Sequence, residues 1–185
     1  MNQAENLVES VKIVDQNNQF VEYATRKVMR EKGLCHQATY IILVNSQGQI
    51  CTHLRHQDKL WCGGYWTTSF GGCVSEGEDY NTNAQKELSE EAGVDHNNQL
   101  LGLDTFLYST DTQKVWGKVF LMFYEGEVKF QKEEIQEIKW RYANEVRQAE
   151  EQYTPDGNIS LEILLNYAKE NQNKHEELKL LLKNA

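Results

Sequence analysis

Two periodicities of apolar and polar residues run through this chain. Residues 38–44, ATYIILV, are almost wholly apolar, and residues 49–54 return after the turn Asn45-Ser46-Gln47-Gly48. That hairpin has a first strand apolar on both faces, which belongs in the middle of a sheet. A shorter hairpin precedes it, residues 12–15 and 20–22 flanking Asn17-Asn18, after which Thr25 caps a helix running to Gly33. Residues 65–70 read as a strand that enters Gly71-Gly72, with a helix over about 81–92 following the loop. Residues 100–109, 115–124 and 135–140 make three more strands. The final region, 159–182, has helical spacing at Leu161, Leu164, Leu165 and Ala168 and is interrupted by the polar residues 169–174, giving one kinked helix or two short ones. Pro155, the only proline, suits the first helical position after a Thr154 cap.

Hairpins mixed with a strand-loop-helix unit predict a mixed α/β fold, a sheet between helices. At 185 residues the chain suits one domain. Its expected parts are an N-terminal hairpin and helix over 11–33, a core over 36–150 and a C-terminal helical region over 155–183.

Charge and cysteine usage narrow the function classes. A formal net charge of −9 argues against a nucleic-acid polymer as partner, since that needs a clustered positive surface, but leaves small phosphorylated molecules open. The four cysteines, Cys35, Cys51, Cys62 and Cys73, have no CxxC spacing, which predicts reduced thiols in a cytoplasmic protein. The first ten residues lack the basic and apolar regions of a secretory leader, and no run is long and apolar enough to span a membrane. The expectation is a monomer or homodimer acting on a small molecule.

The chemistry is concentrated in residues 71–94, GGCVSEGEDYNTNAQKELSEEAGV. At about 100° per residue, Glu87, Glu90 and Glu91 share one sector of a helix about 100° wide. Gly93 is the expected stop, so these like charges crowd the last turn, where the helix dipole disfavours each by about 0.3–1 kcal/mol. A hard divalent cation with oxygen ligands, Mg²⁺ or Mn²⁺ beside substrate phosphates, would relieve them. The alternative is a solvated Glu-rich face.

The longer frame decides between them. Gly72, Glu78, Lys86, Glu87, Leu88, Glu90, Glu91, Gly93 and Val94 resemble the Nudix box GX5EX7REUXEEXGU, with Lys86 in place of the Arg. The resemblance implies an α/β/α sandwich with a mixed parallel and antiparallel sheet, and a hydrolase that attacks the pyrophosphate bond of a nucleoside diphosphate linked to another group, or of a related organic diphosphate. It implies Glu87, Glu90 and Glu91 as ligands of Mg²⁺ or Mn²⁺, with a carbonyl of Gly71 or Gly72 completing the shell. The general base comes from the box, Glu87 or Glu90, or from a later loop, where Glu134 is preferred to Glu133 and Glu137. Glu78 is either a loop acid or a partner for Lys86.

Outside the box, His36-Gln-Ala-Thr-Tyr, Val44-Asn-Ser-Gln-Gly-Gln-Ile and Gly64-Tyr-Trp-Thr-Thr-Ser resemble the Nudix branch related to isopentenyl-diphosphate isomerase. In that branch Arg55 and Lys59 match the positions that hold a diphosphate. The isomerase cysteine is Gly71 here and its box-loop histidine is Cys73, which leaves hydrolysis as the expected reaction. Cys73 is then a ligand, a redox-sensitive thiol or a small residue under the loop. Trp61 is the flat surface best placed to meet an organic group. The alternatives are an isomerase and a non-catalytic nucleotide or diphosphate sensor.

Overall fold

The computed structural model describes residues 8–94 and 99–185. Most of the first ten residues, on which the leader reading rests, lie outside them. The element order is β1 (Ser10–Val14), β2 (Phe20–Thr25), α1 (Arg26–Glu31), β3 (His36–Val44), β4 (Ile50–Arg55), β5 (Trp66–Thr67), α2 (Tyr80–Ala92), β6 (Leu101–Ser109), β7 (Lys114–Phe123), β8 (Ile135–Arg141), α3 (Ala143–Gln148), α4 (Pro155–Asn171) and α5 (Glu176–Lys183). The C-terminal region is therefore two helices, and its polar interruption is the break between them.

β3 is central. It pairs in parallel with β7 along its whole length, from His36 opposite Val115 to Val44 opposite Phe123, while β6 adds to β7 and β8 to β4, both antiparallel. The run that looked apolar on both faces is buried on both. Ile42 and Val44 point to one side, where Leu161, Leu164, Leu165, Leu178 and Leu181 of α4 and α5 cover the sheet. Ile41 and Leu43 point to the other, against Ala84, Leu88 and Ala92 of α2. Alternation along one strand thus builds both cores of an α/β/α sandwich.

Helix ends follow their caps. Thr25, Asp79 and Thr154 each accept a hydrogen bond from a backbone N–H of the first turn they begin, and Gly93 ends α2 in the left-handed conformation at φ 65°. Helix α3, which the sequence reading did not assign, is a six-residue turn with only Ala143 and Val146 buried.

The expected strand over 65–70 is only partly one. Trp66 and Thr67 pair with Leu54 and His53 of β4, and then the chain leaves β4 for β3, through single bridges of Phe70 to Ile41 and Cys73 to Ala38. The buried polar residues between explain the switch, since Thr68 Oγ1 donates to the Gly157 carbonyl at 2.8 Å, fixing the chain to α4. Gly71 then turns at φ 134°, where a Cβ would lie 2.1 Å from the Thr39 carbonyl oxygen.

Asn83 ties the loop to the helix that follows it. It is fully buried, accepts from Thr39 Oγ1 at 2.7 Å, and donates through Nδ2 to the Cys73 carbonyl at 3.1 Å and to Glu78 Oε2 at 2.8 Å. Removing it leaves several buried polar groups unpaired at once. Asn83→Ala is expected to lower stability by about 1–3 kcal/mol in urea unfolding; a change near zero would mean the loop is held elsewhere.

Candidate active site

The segment 70–73 and helix α2 meet at a cavity of about 220 Å³, walled also by α1, the loop after β4 and the loop before β8. On α2, Ala84, Leu88 and Ala92 take the core side of the helix, so the neighbouring stripe, Asn83, Glu87 and Glu91, turns toward the 70–73 segment. Glu87 is 9% exposed and Glu90 and Glu91 are half-buried. No basic residue stands in the last turn of α2, so the helix itself offers nothing to offset them.

Close packing at the glycines fixes the carboxylates. A Cβ on Gly72 would fall 2.5 Å from Glu87 Oε1, so glycine there is what admits this side chain. Glu91 Oε2 accepts the Gly71 N–H at 3.0 Å. Burial, then the charge of Glu91, pushes the Glu87 carboxyl up to about 8, and burial raises Glu91 against the opposing Gly71 N–H. Both acids are thus held uncomfortably, as the sequence implied.

Cations line the same cavity. Lys59 forms an ion pair with Glu134, and the Glu134 carbonyl also accepts the His56 N–H at 2.9 Å, so the two loops are clasped together. Burial pulls the Lys59 ammonium down to about 8, with Glu91 opposing the shift. Arg55 lines the wall while its Nε and Nη2 donate to the Trp61 carbonyl at 3.2 and 3.0 Å, which fixes the loop carrying Trp61. The Trp61 ring lies 6.1 Å from that of Tyr108.

Of the residues expected at the site, Gly71, Gly72, Lys86, Glu87, Glu90, Glu91, Arg55, Lys59, Trp61 and Glu134 border one cavity, whereas Leu88 and Val94 lie in the core, Gly93 ends the helix and Glu78 stands outside the lining. Glu78 acts as a latch instead. It accepts from the Ser75 N–H at 3.2 Å, from Asn83, and from Lys86 Nζ at 3.1 Å. Of the two expected carbonyls, that of Gly72 accepts the Thr39 N–H at 3.0 Å, which leaves Gly71 as the candidate.

Sequence reasoning missed Arg26, Glu9 and Asp156. Arg26 pairs with Glu9 at 3.0 Å and its charge acts on Glu87; both precede the box and carry no motif. Cys73 meets the His36 ring, and both line the cavity. Its burial is outweighed by Arg26 and His36, which draw the thiol down to about 6.

The donor set suits a hard cation through oxygen. Among the described residues no three His, Cys, Asp or Glu side chains are arranged to close on one ion. A hard divalent cation takes the rest of its shell from water and substrate phosphate oxygens, so carboxylates can line its place without enclosing it beforehand.

The NUDIX domain family matches residues 35–162. The chain belongs to the Nudix family of pyrophosphohydrolases. A Nudix hydrolase of Yersinia pestis is 30% identical over 86% of this chain and 87% of its own length. YfcD of Escherichia coli, also a Nudix hydrolase, is 29% identical over 88% of each. Among solved structures, a Deinococcus radiodurans protein superposes with TM-score 0.72 at 21% identity, over 84% of this chain and 99% of its own. The NUDIX domain of Shewanella oneidensis NrtR, solved with ADP ribose, gives 0.61 at 14% identity, over 90% and 99%. At these identities both speak for the Nudix fold.

The pH dependence of stability follows from the buried acids. A carboxyl raised from 4.5 to about 8 favours the fold when protonated, so that contribution is complete below about pH 4.5 and lost as pH rises toward 8. Cys73 titrates in the same range, so the difference between native protein and Glu87→Gln isolates the acid. In chelator, the variant is expected to gain in Tm relative to native protein from pH 5 to 7.5, by several degrees; a constant difference would contradict the burial of charge at Glu87.

Proposed function

We propose that this Nudix pyrophosphohydrolase cleaves an organic diphosphate, with Mg²⁺ or Mn²⁺ held by Glu87, Glu90 and Glu91 and the Gly71 carbonyl. The observation that carries the reading is one cavity lined by two mutually repelling carboxylates, Glu87 and Glu91, together with the cations Arg55 and Lys59. A diphosphate has the complementary pattern. Its oxygens accept from Arg55 and Lys59, while the acids hold the metal that such an anion brings close.

When bound, the divalent cation shields phosphate charge and acidifies a water. The chain supplies the rest. Glu134 is held beside Lys59, and an incoming phosphate competes for that ammonium, freeing the Glu134 carboxylate to take a proton from the attacking water. Glu87 and Glu90 are the box alternatives for that base, and the raised carboxyl of Glu87 suits a group that exchanges a proton near neutral pH. Trp61 meets the organic substituent. Lys86 holds Glu78 and, with Asn83, keeps the loop against the helix.

The partner is a small-molecule diphosphate rather than a nucleic-acid polymer or a membrane, and the location is the cytoplasm. The net charge of −9 supports the first, and no helix among the described residues is long and apolar enough to cross a membrane. Either a monomer or a homodimer is compatible with a cavity lined by one chain.

The resemblance to the isopentenyl-diphosphate isomerase branch concerns the scaffold. A side chain at position 71 would strike Thr39, so this backbone has no room for the isomerase cysteine. The retained carboxylates speak against a sensor.

Turnover is expected to require added Mg²⁺ or Mn²⁺, and Glu91→Gln should lower kcat at least ~100-fold with unchanged circular dichroism. The assay follows phosphate or nucleoside monophosphate released from nucleotide, nucleotide-sugar and isoprenoid diphosphates. Near-normal turnover by the variant would remove Glu91 from the metal site. Isopentenyl diphosphate should yield no allylic isomer; isomer formed as fast as any nucleotide is hydrolysed would overturn the choice of reaction.

A further inference from the structure

One buried acid of the cavity has no part in the chemistry above. Asp156 lines it from the first turn of α4 and is 7% exposed. Its oxygens have neutral partners: Oδ1 accepts the Gly157 N–H and Oδ2 the Tyr40 hydroxyl, each at 3.0 Å. A carboxylate has about four acceptor positions, so these bonds leave capacity over. A buried charge with spare acceptors and no metal to hold favours the approach of a donor.

Its place in the cavity says which part of a substrate arrives there. Asp156 is bonded to Tyr40 of β3, and its charge acts on Tyr108, whose ring lies 6.1 Å from that of Trp61, whereas Lys59 is paired with Glu134 and feels the charge of Glu91. Arg55 bears on both groups and holds the carbonyl of Trp61. A diphosphate on Lys59 and Arg55 therefore directs its organic substituent past Arg55, toward Trp61 and Asp156.

Resting on the diphosphate reading of this site, we propose that Asp156 is a specificity-determining acceptor for the organic half of the substrate. It selects a substituent that presents O–H or N–H donors, as a ribose or a nucleobase does, over a hydrocarbon chain. A donor-bearing group fills the carboxylate's remaining acceptor positions, while an alkyl chain covers them and leaves them empty. Sites built to hydrogen-bond a ligand reject the analogue without the group far more strongly than apolar pockets reject an added methylene.

The test measures binding by calorimetry and hydrolysis in parallel, with uridine diphosphate, its 2′,3′-dideoxy analogue and geranyl diphosphate. Native protein is expected to bind uridine diphosphate at least about tenfold more tightly than geranyl diphosphate, and Asp156→Asn to bring the two within about threefold. Loss of the preference with the dideoxy analogue assigns the donor to the ribose; its retention assigns the donor to the base. Tyr40→Phe breaks the same internal hydrogen bond but keeps the carboxylate, so it should keep the preference. An equal collapse in Tyr40→Phe, an unchanged preference in Asp156→Asn, or a native protein without preference for uridine diphosphate overturns the proposal. Preference without turnover would uphold Asp156 and fail the catalytic reading; turnover without preference would do the reverse.

Discussion

Two carboxylates packed side by side near the C-terminal end of a helix, one buried and one half-buried, are the constraint on which the rest of this structure depends. Glu87 and Glu91 lie one turn apart on α2, each raised by burial, in a turn with no basic residue of its own. Left to itself such a pair costs stability, so the surrounding fold must hold it in place. The hold comes from the backbone. Gly71 gives its N–H to Glu91, and Gly72 is bare where Glu87 approaches.

Both cores serve that hold. The face of β3 carrying Ile41 and Leu43 fixes α2 through Ala84, Leu88 and Ala92, which sets the rotation of the helix and so the direction of its acidic stripe. The opposite face fixes α4, whose first turn anchors Thr68 and presents Asp156 to the cavity. Between them the chain crosses from β4 to β3, and the crossing is where the glycines stand. Side chains from segments far apart in the chain consequently border one cavity.

Much of this was legible in the chain. Caps at Thr25 and Thr154 and the stop at Gly93 are local effects, readable because the groups that satisfy the backbone are neighbours in sequence. The carboxylate stripe is likewise a matter of helical spacing. What could not be read depends on distant partners. Residues 65–70 have the composition of a strand, but Thr68 is bound by α4 and the pairing changes strand before Gly71. Helix α3 is too short and polar to show a period. Glu134 was chosen for its acid-rich surroundings, yet its contact with Lys59 joins two loops whose approach no spacing encodes. Arg26 reads as the first residue of a surface helix until the fold turns it toward Glu9 and Glu87.

If the buried acids are kept for a cation, binding must displace a proton, because a carboxyl held at about 8 is largely protonated at neutral pH. Calorimetric titration of Mn²⁺ or Mg²⁺ in buffers of different ionisation enthalpy measures this directly. About one proton should leave per cation bound near pH 6.5, falling toward none by pH 9, with the affinity rising over the same range. Binding of equal strength at both pH values without proton release would mean that the cation, if it binds at all, does not bind at Glu87 and Glu91.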